Sequence, residues 1–213
     1  QSLNWTYVVA DGGWYYDPLQ LSSRDKVMHE YMDAHGRLLP DPGRYPQGWK
    51  GVCDELHAKG FKCGFHLFRG VPGRAWEEAS PTLGAGENYT VRDAGFNVSE
   101  VQGHGAFYEI NVAHPAAQQY LDSVFALYCS WGMDFLKLDG MGSSGARSPD
   151  DHAVVDGGRM NPINGGVPVA KAYRAAIAKG CGGRKVVLSL SAGGTGIPGW
   201  VNESKSDFIT DEF

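Results

Sequence analysis

The sequence predicts an α/β fold built around a parallel sheet. Two observations carry this. Apolar, β-branched runs alternate with amphipathic helical stretches through the chain, and the runs are apolar throughout, as strands covered on both faces are. A third observation, that charged and hydroxyl side chains recur at the ends of the runs, places the candidate site, because ligands of parallel βα folds bind beyond the carboxyl ends of the strands. A doubly wound sheet and a (β/α)8 barrel both satisfy the pattern. The glycines of "ADGGWYYDP" lack the spacing of a dinucleotide-binding loop, which weighs against the nucleotide-binding version.

The first strand is read in "NWTYVVADGGWYY", which breaks at Gly12-Gly13. In "PQGWKGVCDELHAKG", Trp49, Val52, Cys53 and Leu56 recur at helical spacing and Gly60 is placed to end the helix. "FKCGFHLFRG" is the second strand. The helix of "HPAAQQYLDSVFALYCSWG" opens with Pro115, tolerated in a first turn, and lines Tyr120, Leu121, Val124, Phe125 and Tyr128 on one face. Strand "MDFLKLD" follows. A third round combines "VPVAKAYRAAIAKG", with Val169, Tyr173, Ala176 and Ile177 in one stripe, and strand "KVVLSLS". The apolar patch "DFITDEF" reads as a fifth strand, and 140–166 as a surface loop bordering the pocket. Five strands fall short of a closed eight-stranded barrel, which typically takes around 250 residues. Residues 1–213 are therefore expected to be one partial domain of a longer protein.

At 213 residues and 42% hydrophobic content the chain can bury a substantial core. The formal charge of −5 comes from scattered acids without a Lys/Arg block, which excludes a nucleic acid partner. No apolar stretch approaches the roughly 20 residues of a membrane span. Four of the seven asparagines, Asn4, Asn88, Asn97 and Asn202, sit in N-x-Ser/Thr sequons, where chance would give fewer than one. A secreted glycoprotein is expected. The four cysteines are spaced unlike a zinc site and are either buried thiols or two bridges. The favoured pairing is Cys53 with Cys63 and Cys129 with Cys181, each joining neighbouring elements at one end of a layered fold.

The strand ends carry Asp11, then His66 and Arg69, then Lys137 and Asp139, then Ser189 and Ser191, then Asp211 and Glu212. Side chains alternate along a strand, so Lys137 and Asp139 share a face, as do Ser189 and Ser191. Each has a bland reading: Asp139-Gly140 as a turn pair, His66 as a bonded core residue, Lys137 as a solvated stem. Trp14 and Trp76 are either loop core or platforms for a sugar ring. Asp33, Asp41, Asp150 and Asp151 read as solvated loop acids.

The joint placement points to chemistry. Two carboxylates facing one pocket permit glycosidic bond cleavage, one attacking the anomeric carbon and the other, protonated, donating to the leaving oxygen. Lys137 is expected to hold Asp139 as a carboxylate, while burial or the Asp211–Glu212 neighbourhood raises the pKa of the acid partner. Neither metal nor organic cofactor is required, and the expected partner is a carbohydrate. Aldol or isomerase chemistry on Lys137 is an alternative that fold alone leaves open.

The motifs "YVVADGGW", "GRLLPDPGRYP" and "WGMDFLKLD", with "KGVCDELHAKGFKCGFH" between the last two, resemble the family 27 glycoside hydrolases, the α-galactosidase (melibiase) group. The resemblance implies a (β/α)8 barrel of which this chain holds about strands 2 to 6. It also implies that Asp139 is the retaining nucleophile, Lys137 a substrate-binding lysine, Asp11 the first acid of a sugar-gripping pair, and Glu212 the acid/base with Asp211 as fallback. Gly12 stands at the second acid of that pair, Phe208 at an expected arginine, and Ser191 at a sugar-reading position. "GFHLFRG" and "SLSAGGTG" are more similar to the divergent branch that includes β-L-arabinopyranosidases. The implied activity is retaining hydrolysis of terminal α-D-galactose or β-L-arabinopyranose-like residues. The departures also fit an inactive barrel serving as a glycan-binding or structural module.

Overall fold

The computed structural model describes residues 6–16, 30–84, 88–96, 107–139, 154–155, 159–160 and 167–190. In chain order these form β1 (Tyr7–Ala10), α1 (Gly48–Ala58), β2 (Lys62–Phe68), β3 (Val71–Pro72), α2 (Gly73–Glu77), α3 (Val91–Ala94) and β4 (Phe107–Tyr108). There follow α4 (Pro115–Ser130), β5 (Phe135–Asp139), β6 (Val154–Val155), β7 (Arg159–Met160), α5 (Val167–Gly180) and β8 (Val187–Leu190). The order β1-β2-β5-β8 makes one sheet, and every pairing in it is parallel. The three βα rounds read from the sequence are thus present. The "DFITDEF" patch lies outside the described residues.

Each connecting helix buries the stripe its periodicity set. Tyr120, Leu121, Val124, Phe125 and Tyr128 of α4 and Val169, Tyr173, Ala176 and Ile177 of α5 are all at most 5% exposed, and the two helices pack against each other. His114 caps α4, its Nδ1 accepting from the Ala116 amide at 3.2 Å, and Pro115 occupies the first turn, where its missing N–H costs nothing. Gly60, at φ 81°, ends the α1 turn in the left-handed region. The core centres on an aromatic cluster in which Trp14 meets Trp49, Phe65 and Tyr128 at centroid distances of 5.7, 5.6 and 6.0 Å. β1 departs from the expected buried strand. It has one partner in the described sheet, and Tyr7 and Val8 remain 38% and 44% exposed.

The amino-terminal pole of the sheet is pinned covalently and by charge. Cys53 of α1 bonds Cys63 of β2, and Cys129 of α4 bonds Cys181 just beyond α5, the pairing favoured from sequence. Between them the buried Asp134 accepts from His57 Nε2 at 2.6 Å, the Cys63 amide at 2.9 Å and Arg184 Nη1 at 2.9 Å. One carboxylate therefore holds the end of α1, the start of β2 and the approach to β8. A cavity of about 440 Å³ opens there, lined by His57, Lys62, Asp134 and Arg184. It faces away from the carboxyl ends of the strands and is a different place from the candidate site.

Candidate functional site

The site is built by register. In the β2–β5 ladder His66 lies opposite Lys137 and Phe68 opposite Asp139, and in the β5–β8 ladder Lys137 lies opposite Ser189. Paired positions in a sheet share a face, so these side chains emerge on one side, toward the strand ends. β1 contributes Asp11, the first residue past its last paired position. Its own Oδ1 accepts from the Gly12 amide at 2.8 Å.

Four groups meet there. The Lys137 ammonium donates to both carboxylate oxygens of Asp11, at 3.1 and 2.9 Å. That contact, then the Gly12 amide, holds the Asp11 carboxyl below the usual carboxylate range. His66 Nε2 lies 3.3 Å from Asp139 Oδ2 and 3.9 Å from Asp11 Oδ1. Its ring is 2% exposed, and burial, the largest cause, pulls the imidazole pKa below its ordinary value despite the two acids. Lys137 was expected to steady Asp139. Its ion-pair partner is Asp11, and Asp139 is hydrogen-bonded by His66.

The surrounding motif explains why Asp11 sits where it does. In "GRLLPDPGRYP" Asp41 accepts from the Gly43 amide and from Arg44 Nε, each at 2.8 Å, and Arg44 in turn donates to the carbonyls of Gly13 and Tyr16. The Asp41 amide donates to the Trp14 carbonyl at 2.9 Å. The segment is a brace for the loop that carries Asp11. Asp41 is consequently 5% exposed, a correction to its reading as a solvated loop acid. It is shielded because a carboxylate that orders two turns must sit between them.

Other expectations are corrected by burial. Trp14 is 1% exposed and donates its indole N–H to the His66 carbonyl at 2.6 Å, so it is core and presents no platform to a sugar. Arg69 is 2% exposed and turns into the protein, where it pairs with the buried Glu109. Its amide donates to the Asp139 carbonyl at 3.1 Å, which continues the β2–β5 ladder past the last paired strand residue. Trp76 packs at a tilt against Tyr108, with ring centroids 4.7 Å apart, under the Arg92 guanidinium at 5.0 Å. Ser189 keeps its place on the site face. Asn88 is exposed. Glu212, Asp211, Ser191, Asn4, Asn97 and Asn202 lie outside the described residues.

Sequence reasoning missed Glu109 and Asp134. Both are buried acids with cationic partners 40 or more positions away in the chain, so no local spacing announces them. A faint signal existed in Asp134, an acid inside the apolar run "WGMDFLKLD".

No protein-family profile matches the chain. Curated relatives include an α-galactosidase of Hypocrea jecorina, 29% identical over 164 residues, covering 75% of this chain and 22% of the relative. An α-N-acetylgalactosaminidase of Gallus gallus is 32% identical over 113 residues, covering 53% of this chain and 19% of the relative. Among solved structures, a GH27 β-L-arabinopyranosidase variant from Geobacillus stearothermophilus in complex with arabinose matches with TM-score 0.77 and 31% identity, over 99% of this chain and 46% of that one. A structure from Bacillus halodurans, described as a possible α-N-acetylgalactosaminidase, matches with TM-score 0.69 and 31% identity, over 93% and 43%. The chain thus spans about a fifth of the length of these curated relatives and under half of these solved chains. The four-stranded parallel sheet is a section of a (β/α)8 barrel.

Proposed function

This chain is a relative of the family 27 glycoside hydrolases, and from that premise we propose that it is the part of a retaining glycosidase that carries the nucleophile, Asp139. The single observation behind the reading is the position of Asp139: it ends β5, the strand next to the buried His66, with its carboxylate hydrogen-bonded and only part-buried. A carboxylate so placed can attack an anomeric carbon while a second acid protonates the leaving oxygen, and water then releases the covalent glycosyl intermediate. The second acid is assigned to Glu212, with Asp211 as the fallback.

The substrate class is a terminal sugar with the ring stereochemistry of galactose, either α-D-galactose or β-L-arabinopyranose. Asp11 fits a role in gripping hydroxyls, since an ionised carboxylate accepts hydrogen bonds in pairs. Gly12, where a second acid would sit, removes part of that grip. Two disulfides and an exposed Asn88 in its sequon support an oxidising, secretory route. Among the described residues no helix is long and apolar enough to cross a membrane.

The test is hydrolysis of aryl α-D-galactopyranoside and aryl β-L-arabinopyranoside. The protein should release the phenol from one of them with retention at the anomeric carbon, followed by proton NMR of the first-formed sugar. Asp139→Asn should lower kcat by about a thousandfold or more without unfolding the protein. An unchanged kcat removes Asp139 from the mechanism, and inversion removes the covalent intermediate.

A further inference from the structure

The imidazole of His66 cannot touch a sugar directly, because at 2% exposure it offers no surface to one. It is nevertheless hydrogen-bonded to the candidate nucleophile. We propose that His66 is a positioning residue: as a neutral imidazole it donates Nε2–H to Oδ2 of Asp139 and so fixes the orientation of that carboxylate. The proposal deepens the glycosidase reading of the site and, in its account of Asp139 as nucleophile, rests on it.

Three features of the surroundings dictate that tautomer. Nε2 faces two carboxylate oxygens, Asp139 at 3.3 Å and Asp11 at 3.9 Å, and a lone pair aimed at an anion would be repelled, so the proton sits on Nε2. Nδ1 is buried, has no hydrogen-bond partner among the described residues, and faces Gly12, where an added Cβ would lie 3.4 Å away. With no acid at position 12, nothing there calls for a second proton. The charged groups facing the ring are Asp139 and Lys137 from β5 and Asp11 from the end of β1, and Lys137 is already committed to Asp11. The His66 backbone is held by the Trp14 indole on its carbonyl at 2.6 Å, and the ring stands edge-on against Phe68 at 4.7 Å.

The division of labour has a chemical reason. A full cation on the nucleophile would stabilise the resting carboxylate and blunt its attack, since charge-assisted bonds are roughly twice as strong as neutral ones. Here the Lys137 ammonium goes to Asp11, which must stay anionic but need not react, and Oδ2 of Asp139 takes the neutral donor of His66.

Nitrogen-15 NMR of the imidazoles in the intact protein reads this directly. His66 should appear as the Nε2–H tautomer at pH 7 and titrate below an ordinary histidine. Asp139→Asn, by removing the nearest anion, should lower its titration midpoint by about one unit, and Gly12→Asp, which has room for its Cβ, should raise it. An Nδ1–H tautomer, or a midpoint unmoved by Asp139→Asn, overturns the proposal.

Kinetics supply the second arm. His66→Phe keeps a buried ring and loses the donor, so kcat on the aryl glycoside should fall about a hundredfold with KM little changed. His66→Gln, which keeps an N–H donor, should recover most of it. A His66→Phe variant with wild-type kcat overturns the positioning role. A wild-type protein that cleaves no glycoside yet shows the coupled titration refutes the hydrolase reading and supports the His66–Asp139 bond by itself.

Discussion

At position 30 a carboxyl group is 3% exposed, near Tyr15 and Arg74. Burial, outweighing the guanidinium, pushes its pKa up to about 7. Folding therefore favours the protonated acid, and the sign follows: the folded state binds more protons than the unfolded one between the ordinary glutamate value and 7, so stability falls as pH rises through that window. The loss is on the order of 3 kcal/mol. Glu30→Gln should raise stability toward urea at pH 8 and change it little at pH 4, measured as the difference between the two proteins at each pH. A difference that does not grow with pH would refute this. His66 acts in the opposite direction. Its depressed pKa gives stability that is present above the ordinary histidine value and lost as pH falls below it. The four groups of the site were visible in sequence as polar residues at strand ends, Asp11, His66, Lys137 and Asp139, the last two placed on one face by strand alternation. Which acid each cation serves was not visible, because it depends on β1 and β5 flanking β2, and a single strand's pattern does not contain its neighbours.

Among the elements, α4 and α5 pack closely enough to decide the sign of a common substitution. Glycine to alanine in a helix ordinarily gains up to about 1 kcal/mol. At Gly180 an added Cβ would lie 2.6 Å from the Phe125 carbonyl carbon and 2.7 Å from the Ala126 nitrogen, and backbone cannot swing aside as a side-chain tip can. Gly180→Ala should instead cost roughly 1–3 kcal/mol, seen as a lower midpoint in thermal unfolding, and a raised midpoint would mean that the helices are free to part. The helices were legible because three separate stripes, those of α1, α4 and α5, repeat at helical spacing, and all but Val52 and Leu56 of the residues read in them are fully buried. Their approach distance was not, since "AKGCGG" reads equally well as a plain helix end. Between core and platform the sequence does not decide for Trp14, for a related reason. An aromatic residue in a glycine-rich loop looks available to a ligand, yet the Asp41–Arg44 brace folds that loop inward and seats the indole among Trp49, Phe65 and Tyr128.

For the molecule as a whole, the two disulfides differ in what they restrain. Cys129–Cys181 closes a separation of 52 residues and Cys53–Cys63 one of 10. On the loop-entropy argument these contribute roughly 4 and roughly 3 kcal/mol respectively. Replacing each pair by alanines should therefore lower the denaturant midpoint more for the 129–181 pair, and the reverse order would point to native-state packing as the dominant contribution. Both bridges lie at one pole, together with the Asp134 network, and the Asp11–Lys137 pair lies at the other, so one end is fastened covalently and by charge while the candidate site is ordered by charge alone among the described residues. Lys137 and Asp11 belong to strands that are not neighbours, and their contact crosses above the strand between them. The mouth is in this way latched before any guest arrives. A neutral sugar can exchange its hydroxyls one for one with the latch and leave the charge balance as it found it, whereas a guest carrying its own positive charge contends with the lysine for the same acid.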